Sequence, residues 1–194
     1  SPIRYAPSGV TMKLWEEQGR VLPFQEYIAV TQKIISDKHW LLSKQTEKEH
    51  PQITTQEQQQ IVDAVSPYEW PVKSDCPVDK MQGILLIHGL SDSPYLMRGL
   101  GDYLNTQDSS CLLVRSILLP GHGTYPGDLK EVDYRQWLDA GRYGIESFKG
   151  KVNAVHIVGF STGGAVGLYW AFNPEKVPLA VPLKSLILLS PAIQ

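Results

Sequence analysis

Cysteine is nearly absent: Cys76 and Cys111 are the only two in 194 residues. That excludes a Cys-only zinc site and a disulfide-dense scaffold, and leaves either one bridge or two separate thiols. Long apolar runs are also lacking. Segments such as Leu186–Leu189 fall far short of the roughly 20 residues a membrane-spanning helix needs, so no integral membrane segment is expected. An excess of either charge is missing as well. A net charge of −2 supplies no electrostatic reason to expect nucleic acid or an anionic membrane surface as a partner. There are no internal repeats. The 42% hydrophobic and 20% charged composition is that of an ordinary globular domain, and the length suits one core rather than two.

The composition changes near Met81. Before it the chain is polar and Gln-rich. Phe24, Ile28, Thr31, Ile35, Lys38 and Leu42 recur at helical spacing, widened by Tyr27, Ile34 and Leu41, which predicts a helix starting at Pro23. A second helix is predicted over Gln56–Val65, capped by Thr55 and stopped by Ser66-Pro67. Its Gln56–Gln60 face reads as solvated. Residues 1–70 are therefore expected to be a helical N-terminal extension packing on a core formed by residues 71–194.

After Met81 strands and helices alternate. Gly83–His88, Leu112–Val114, Ala154–Val158 and Leu186–Leu189 read as buried strands. Helices are predicted to begin at Ser93-Pro94, with Leu96, Leu100, Tyr103 and Leu104 on one side, and at Asp133, with Gln136 as capping-box partner. The stripe of the latter is Tyr134, Leu138, Gly141, Ile145 and Phe148. A further helix is predicted over Gly163–Phe172. This pattern is α/β, a parallel sheet covered on both faces.

The chemistry concentrates in Gly159-Phe160-Ser161-Thr162-Gly163-Gly164, between a predicted strand and a predicted helix. A serine on a sharp strand-to-helix turn needs a strained backbone, and glycines two residues to either side remove Cβ atoms that would collide there. The turn would lift the Ser161 hydroxyl above the sheet, at a helix N-terminus that favours developing negative charge. The second element is His88-Gly89-Leu90, at another strand's carboxyl end, where parallel sheets place their sites. Gly89 lets the backbone turn the Leu90 N–H toward Ser161. With the Thr162 N–H it would form a two-donor oxyanion hole. His88 itself is expected to be a buried strand-end histidine that organises the loop through hydrogen bonds.

These motifs, together with Ser91-Asp92-Ser93-Pro94 and Pro120-Gly121-His122-Gly123, resemble the first half of the α/β-hydrolase fold. Small bacterial carboxylesterases and monoacylglycerol-lipase-like enzymes are the most similar groups, and the likeness runs from about Gly83 to Pro191. The resemblance implies Ser161 as nucleophile, backbone donors from Leu90 and Thr162, and His88, Gly89, His122 and Phe160 as walls of the substrate site. It implies neither a metal nor a cofactor. In such proteins the catalytic acid and base histidine follow later strands. None of His39, His50, His88, His122 and His156 occupies the base's place, with His39 and His50 expected to be exposed. The fold is thus expected to be incomplete at its C-terminus, lacking its second half.

The function expected is hydrolysis of carboxylic esters, lipid or small acyl, through an acyl-enzyme on Ser161. Leu90, Tyr95, Leu96 and Phe160 near the predicted mouth favour an acyl chain. A non-catalytic binding module is the alternative, favoured by the missing base, as is thioesterase or peptidase chemistry on the same fold. A Cys76–Cys111 bridge would indicate export, for example to a periplasm; separate thiols would indicate the cytoplasm.

Overall fold

Alternate residues of one strand point to opposite faces of a sheet, and Gln82–Ile87 is apolar on both after its first residue. Strand β2 forms there, after a short strand β1, Tyr68–Trp70. The computed structural model describes residues 22–46, 54–72, 75–107, 111–175 and 181–193. Helices α1 (Phe24–Thr46) and α2 (Thr55–Val65) precede β1. After β2 come α3 (Pro94–Asn105), β3 (Leu112–Ile117), a 3₁₀ turn (Pro126–Glu131) and α4 (Tyr134–Glu146). Then follow β4 (Ala154–Phe160), α5 (Thr162–Phe172) and β5 (Leu183–Leu189).

The sheet runs β1-β3-β2-β4-β5. All neighbours are parallel except β1, which lies antiparallel to β3 with Glu69 opposite Arg115. β1 was not anticipated from the sequence. The buried guanidinium of Arg115 holds it through a 2.6 Å bond to Glu69, and also bonds the carbonyl oxygen of Ser147.

Period-two alternation divides the core. Leu85 and Ile87 of β2, Val155 and Ile157 of β4 and Ile117 of β3 face α1, α4 and α5, meeting Phe24, Tyr27, Tyr143, Ile145 and Trp170. Ile84, Leu86, Val114 and Val158 face α3 and Trp70. Of the stripe expected of it, α1 buries Phe24, Tyr27, Thr31 and Ile35 and half-buries Ile28, Ile34 and Lys38, while the side chains of Leu41 and Leu42 lie outside the described residues. The Tyr27 hydroxyl donates to the Leu118 carbonyl at 3.2 Å and accepts the Leu118 N–H at 3.1 Å. The extension is thereby tied to the loop that follows β3.

Three local expectations need correction. The cap of α2 is Thr54, whose hydroxyl accepts the Glu57 N–H while the Glu57 carboxylate accepts the Thr54 N–H. Thr55 with Gln58 satisfies the same sequence pattern one residue later, so the pattern is ambiguous. In α3, Leu100 and Leu104 pack inward as expected, but they do so with Met97 and Gly101, while Leu96 and Tyr103 are exposed. The cause is Trp70, whose ring lies so close to Gly101 that a Cβ there would be 2.4 Å from it. In α4 and just beyond it, Gly141, Ile145 and Phe148 are buried as expected, but Tyr134 is exposed and Ala140, Tyr143 and Gly144 join the inward side.

β5 pairs with β4 alone among the described residues, and Ile187 and Leu189 are exposed on it. Cys76 and Cys111 are joined by a disulfide, with Cα atoms 5.7 Å apart. Cys111 immediately precedes β3, so the bridge ties the amino-terminal end of the sheet. No helix of the described residues is long and apolar enough to cross a membrane.

Candidate active site

Ser161 sits between the last residue of β4 and the first of α5, with φ 50° and ψ −115°. A side-chain-bearing residue at that positive φ is strained. Its surroundings hold it there. The Ser161 N–H donates to the Leu189 carbonyl at 3.0 Å, and its own carbonyl accepts from Gly164, Ala165 and Ala192 at 2.9, 3.2 and 3.1 Å. The Ser161 side chain makes no cap bond to α5 and is half-buried. The two flanking glycines act differently from one another. A Cβ on Gly159 would lie 2.4 Å from the Gly163 carbonyl oxygen, within the turn itself. A Cβ on Gly163 would instead strike the carbonyl oxygens of Ile87 and His88, at the end of β2. Gly163 therefore sets how closely α5 approaches the neighbouring strand.

That approach brings the 88–90 loop against the turn. A Cβ on Gly89 would be 3.2 Å from Ser161 Cβ and 3.0 Å from the Phe160 ring. Phe160 is half-buried, packed on the α3-side core. Leu90 next to it is exposed, as are Tyr95 and Leu96. Thr162 is half-buried at the start of α5.

His88 is fully buried. The Leu119 N–H donates to its Nε2 at 3.0 Å, which leaves the proton on Nδ1, 2.8 Å from the Gly89 carbonyl oxygen. Burial, then the neighbouring His122, push its pKa down to about 3 against the Gly89 bond, so the ring is neutral. These are the loop-organising bonds expected of it. His122 is buried as well, its ring edge-to-face with His88 at 4.9 Å between centroids. Its Nε2 lies 2.6 Å from the Leu90 carbonyl oxygen, and its Nδ1 lies 2.9 and 3.1 Å from those of Pro120 and Leu119.

None of the described histidines bonds the Ser161 hydroxyl. His156 is engaged by Ser185 and Gln82 at 2.6 and 3.1 Å. His39, expected in solvent, is half-buried with Nε2 3.2 Å from the Gly123 carbonyl oxygen. His50 lies outside the described residues. Four other side chains steady the loop around His122, a role that no sequence pattern indicated. The Trp137 indole donates to the Pro120 carbonyl at 3.0 Å. Lys38 bonds both carboxylate oxygens of Asp128 at 2.6 and 2.7 Å, and Thr124 donates to the same carboxylate at 2.6 Å. Lys38 and Asp128 are too far apart in the chain for any local pattern to pair them.

No group of three or more His, Cys, Asp or Glu residues that could hold a metal ion occurs among the described residues. The strained serine thus lies between a parallel strand and a helix, packed against a loop that buried histidines hold.

Residues 84–194 match the model of the alpha/beta hydrolase family. The chain is similar to a thermostable monoacylglycerol lipase of Bacillus sp. (strain H-257), at 29% identity over 105 residues, covering 54% of this chain and 41% of that protein. Its fold is similar to a structure from work on LipS and LipT, two metagenome-derived lipolytic enzymes. That match has a TM-score of 0.53 and 20% identity, covering 66% of this chain and 46% of the other. The chain thus spans less than half the length of either.

Proposed function

The chain belongs to the alpha/beta hydrolase family, and from that premise we propose that it carries the nucleophile of a serine ester hydrolase. The observation that carries the reading is the backbone of Ser161, held at positive φ beside Gly89. A binding scaffold has no use for that strain, whereas a nucleophile gains exposure from it. Ser161 Oγ attacks the ester carbonyl carbon, its proton passes to a base, and the C–O bond to the alcohol breaks as that alcohol takes up the proton. Water then releases the acid from the acyl-enzyme. The N–H groups of Leu90 and Thr162 hold the oxyanion, assisted by the N-terminus of α5. The base is assigned to a histidine outside the described residues, since His39, His88, His122 and His156 are held elsewhere.

A lipid or acyl ester is the substrate class. Similarity to the monoacylglycerol lipase supports it, and exposed Leu90, Tyr95 and Leu96 beside the site would meet an acyl chain. The Cys76–Cys111 bridge supports export to an oxidising compartment.

The test is labelling of the full-length protein with a fluorophosphonate, alongside turnover of p-nitrophenyl esters. The adduct is expected on Ser161, and Ser161→Ala should lower kcat by about a thousandfold or more. An adduct elsewhere, or hydrolysis undiminished in Ser161→Ala, would overturn the assignment. A folded full-length protein that neither labels nor turns over esters would favour the binding-module reading.

A further inference from the structure

Leu90 has an unusual task for an exposed residue. The residue is 46% exposed, so packing does little to hold it, yet the reading above requires its N–H to stay aimed at one point. Two histidines supply the hold that packing does not. The peptide between Gly89 and Leu90 carries the Gly89 carbonyl and the Leu90 N–H. No cis peptide bond occurs among the described residues, and a trans peptide points its C=O and N–H in opposite directions. The 2.8 Å contact of His88 Nδ1 with the Gly89 carbonyl therefore sets the direction of the Leu90 N–H. The next peptide, from Leu90 to Ser91, is held by His122 Nε2, 2.6 Å from the Leu90 carbonyl oxygen. Both soft dihedrals of Leu90 lie between those two planes, so neither histidine alone fixes the residue.

The ring of His122 is itself anchored. It is 5% exposed, and all three oxygens around its nitrogens are carbonyl acceptors: Leu90 on one side, Leu119 and Pro120 on the other. Carbonyls cannot donate, so the Leu90 contact is a hydrogen bond only when Nε2 carries a proton, and the Leu119 and Pro120 contacts only when Nδ1 does. Among the described residues the titratable ring packed against it is His88, which is neutral. The uncharged indole of Trp137 lies 6.1 Å away and bonds Pro120.

We propose that His122 is a positioning residue for the ester-cleaving reaction, its Nε2–H clamping the Leu90 carbonyl so that, with His88, it holds the oxyanion donor of Leu90 in place. This rests on the assignment of Leu90 as an oxyanion donor, and goes beyond it by giving His122 a task other than forming the site wall.

Two amide substitutions separate positioning from mere loop support. In His122→Gln the side-chain NH₂ reaches about as far as Nε2 and can still donate to Leu90. In His122→Asn it reaches about as far as Nδ1, serving Leu119 or Pro120 and abandoning Leu90. In the full-length enzyme acting on p-nitrophenyl butyrate, His122→Gln should keep kcat within about threefold. His122→Asn should lower kcat by about 10- to 100-fold with KM within about twofold, a part of the effect of deleting an oxyanion donor. Amide exchange followed by mass spectrometry should rise over residues 89–92 in His122→Asn and not in His122→Gln. Equal kcat in the two variants, a loss confined to KM, or unchanged exchange in both would overturn the proposal. A readout that needs no variant is the ring ¹⁵N spectrum of the wild-type protein before and after phosphonylation of Ser161. Nε2 should be protonated in both states, and a bare Nε2 in either rejects the clamp whether or not the variants fold. Absence of Ser161-dependent turnover in the wild type would instead defeat the functional reading on which this one stands.

Discussion

Gly163 rests on the backbone of Ile87: a Cβ added to the glycine would lie 2.2 Å from the Ile87 carbonyl oxygen. In an open helix Gly→Ala adds roughly 1 kcal/mol of stability. Here the new methyl meets main chain that cannot rotate away, and overpacking of this kind costs about 1–3 kcal/mol or more. Gly163→Ala is therefore expected to lower the melting temperature. Gly99→Ala in α3, where a Cβ meets nothing within 4 Å, should raise it. A thermal melt of both variants checks the contrast; similar shifts would show that the turn has room to relax.

The Lys38–Asp128 pair joins α1 to the 3₁₀ turn beyond His122, with side chains 26% and 18% exposed. Its distances of 2.6 and 2.7 Å to the two carboxylate oxygens are those of a charge-assisted bond. Partial exposure still screens it, so a double-mutant cycle with Lys38→Met and Asp128→Asn should return a coupling of about 1 kcal/mol. A coupling near zero would mean that α1 holds the loop through its other contacts, those of Tyr27, Ile35 and His39.

The disulfide closes a loop with a sequence separation of 35. On the chain-entropy model that contributes up to about 4 kcal/mol. Urea unfolding with and without a reductant should show a lower midpoint for the reduced protein. Two thiols titrating in the unfolded, unreduced protein would show that the bridge does not form.

Acid should destabilise the protein through His88. The unfolded histidine takes a proton near pH 6.5, whereas the native ring resists it down to about 3. Between those values the unfolded state binds the extra proton. Above pH 6.5 this loss is absent, and it grows as pH falls, by about 1.4 kcal/mol per pH unit. His88→Asn is expected to be less stable at neutral pH but to lose stability less steeply between pH 6 and 4. Parallel stability–pH curves from urea midpoints would show that His88 is not the group responsible. Glu146 shifts oppositely, its carboxyl raised by burial against Arg142 and Lys149, and cancels in the comparison.

Local chemistry determined much of this protein. Strand-length apolar runs ending in glycine, a proline opening α1, and Asp133 with Gln136 capping α4 each act within a few residues, so the sequence alone contains their physics. The Ser161 turn belongs to the same class, because its strain and the collision between Gly159 and Gly163 arise inside one six-residue segment. Tertiary structure decided the rest. Whether Leu96 or Met97 faces inward depended on Trp70 arriving from an edge strand of three residues, too short for period two to register. Glu69 was recruited by Arg115, and His39 by the Gly123 carbonyl, across long stretches of chain. His122 reached Leu90 only because parallel β2 and β3 place the loops after both strands at one end of the sheet. Hydrogen bonds to a carbonyl are the hardest of these to foresee, since every residue offers the same oxygen and only the fold decides which one a buried ring will meet.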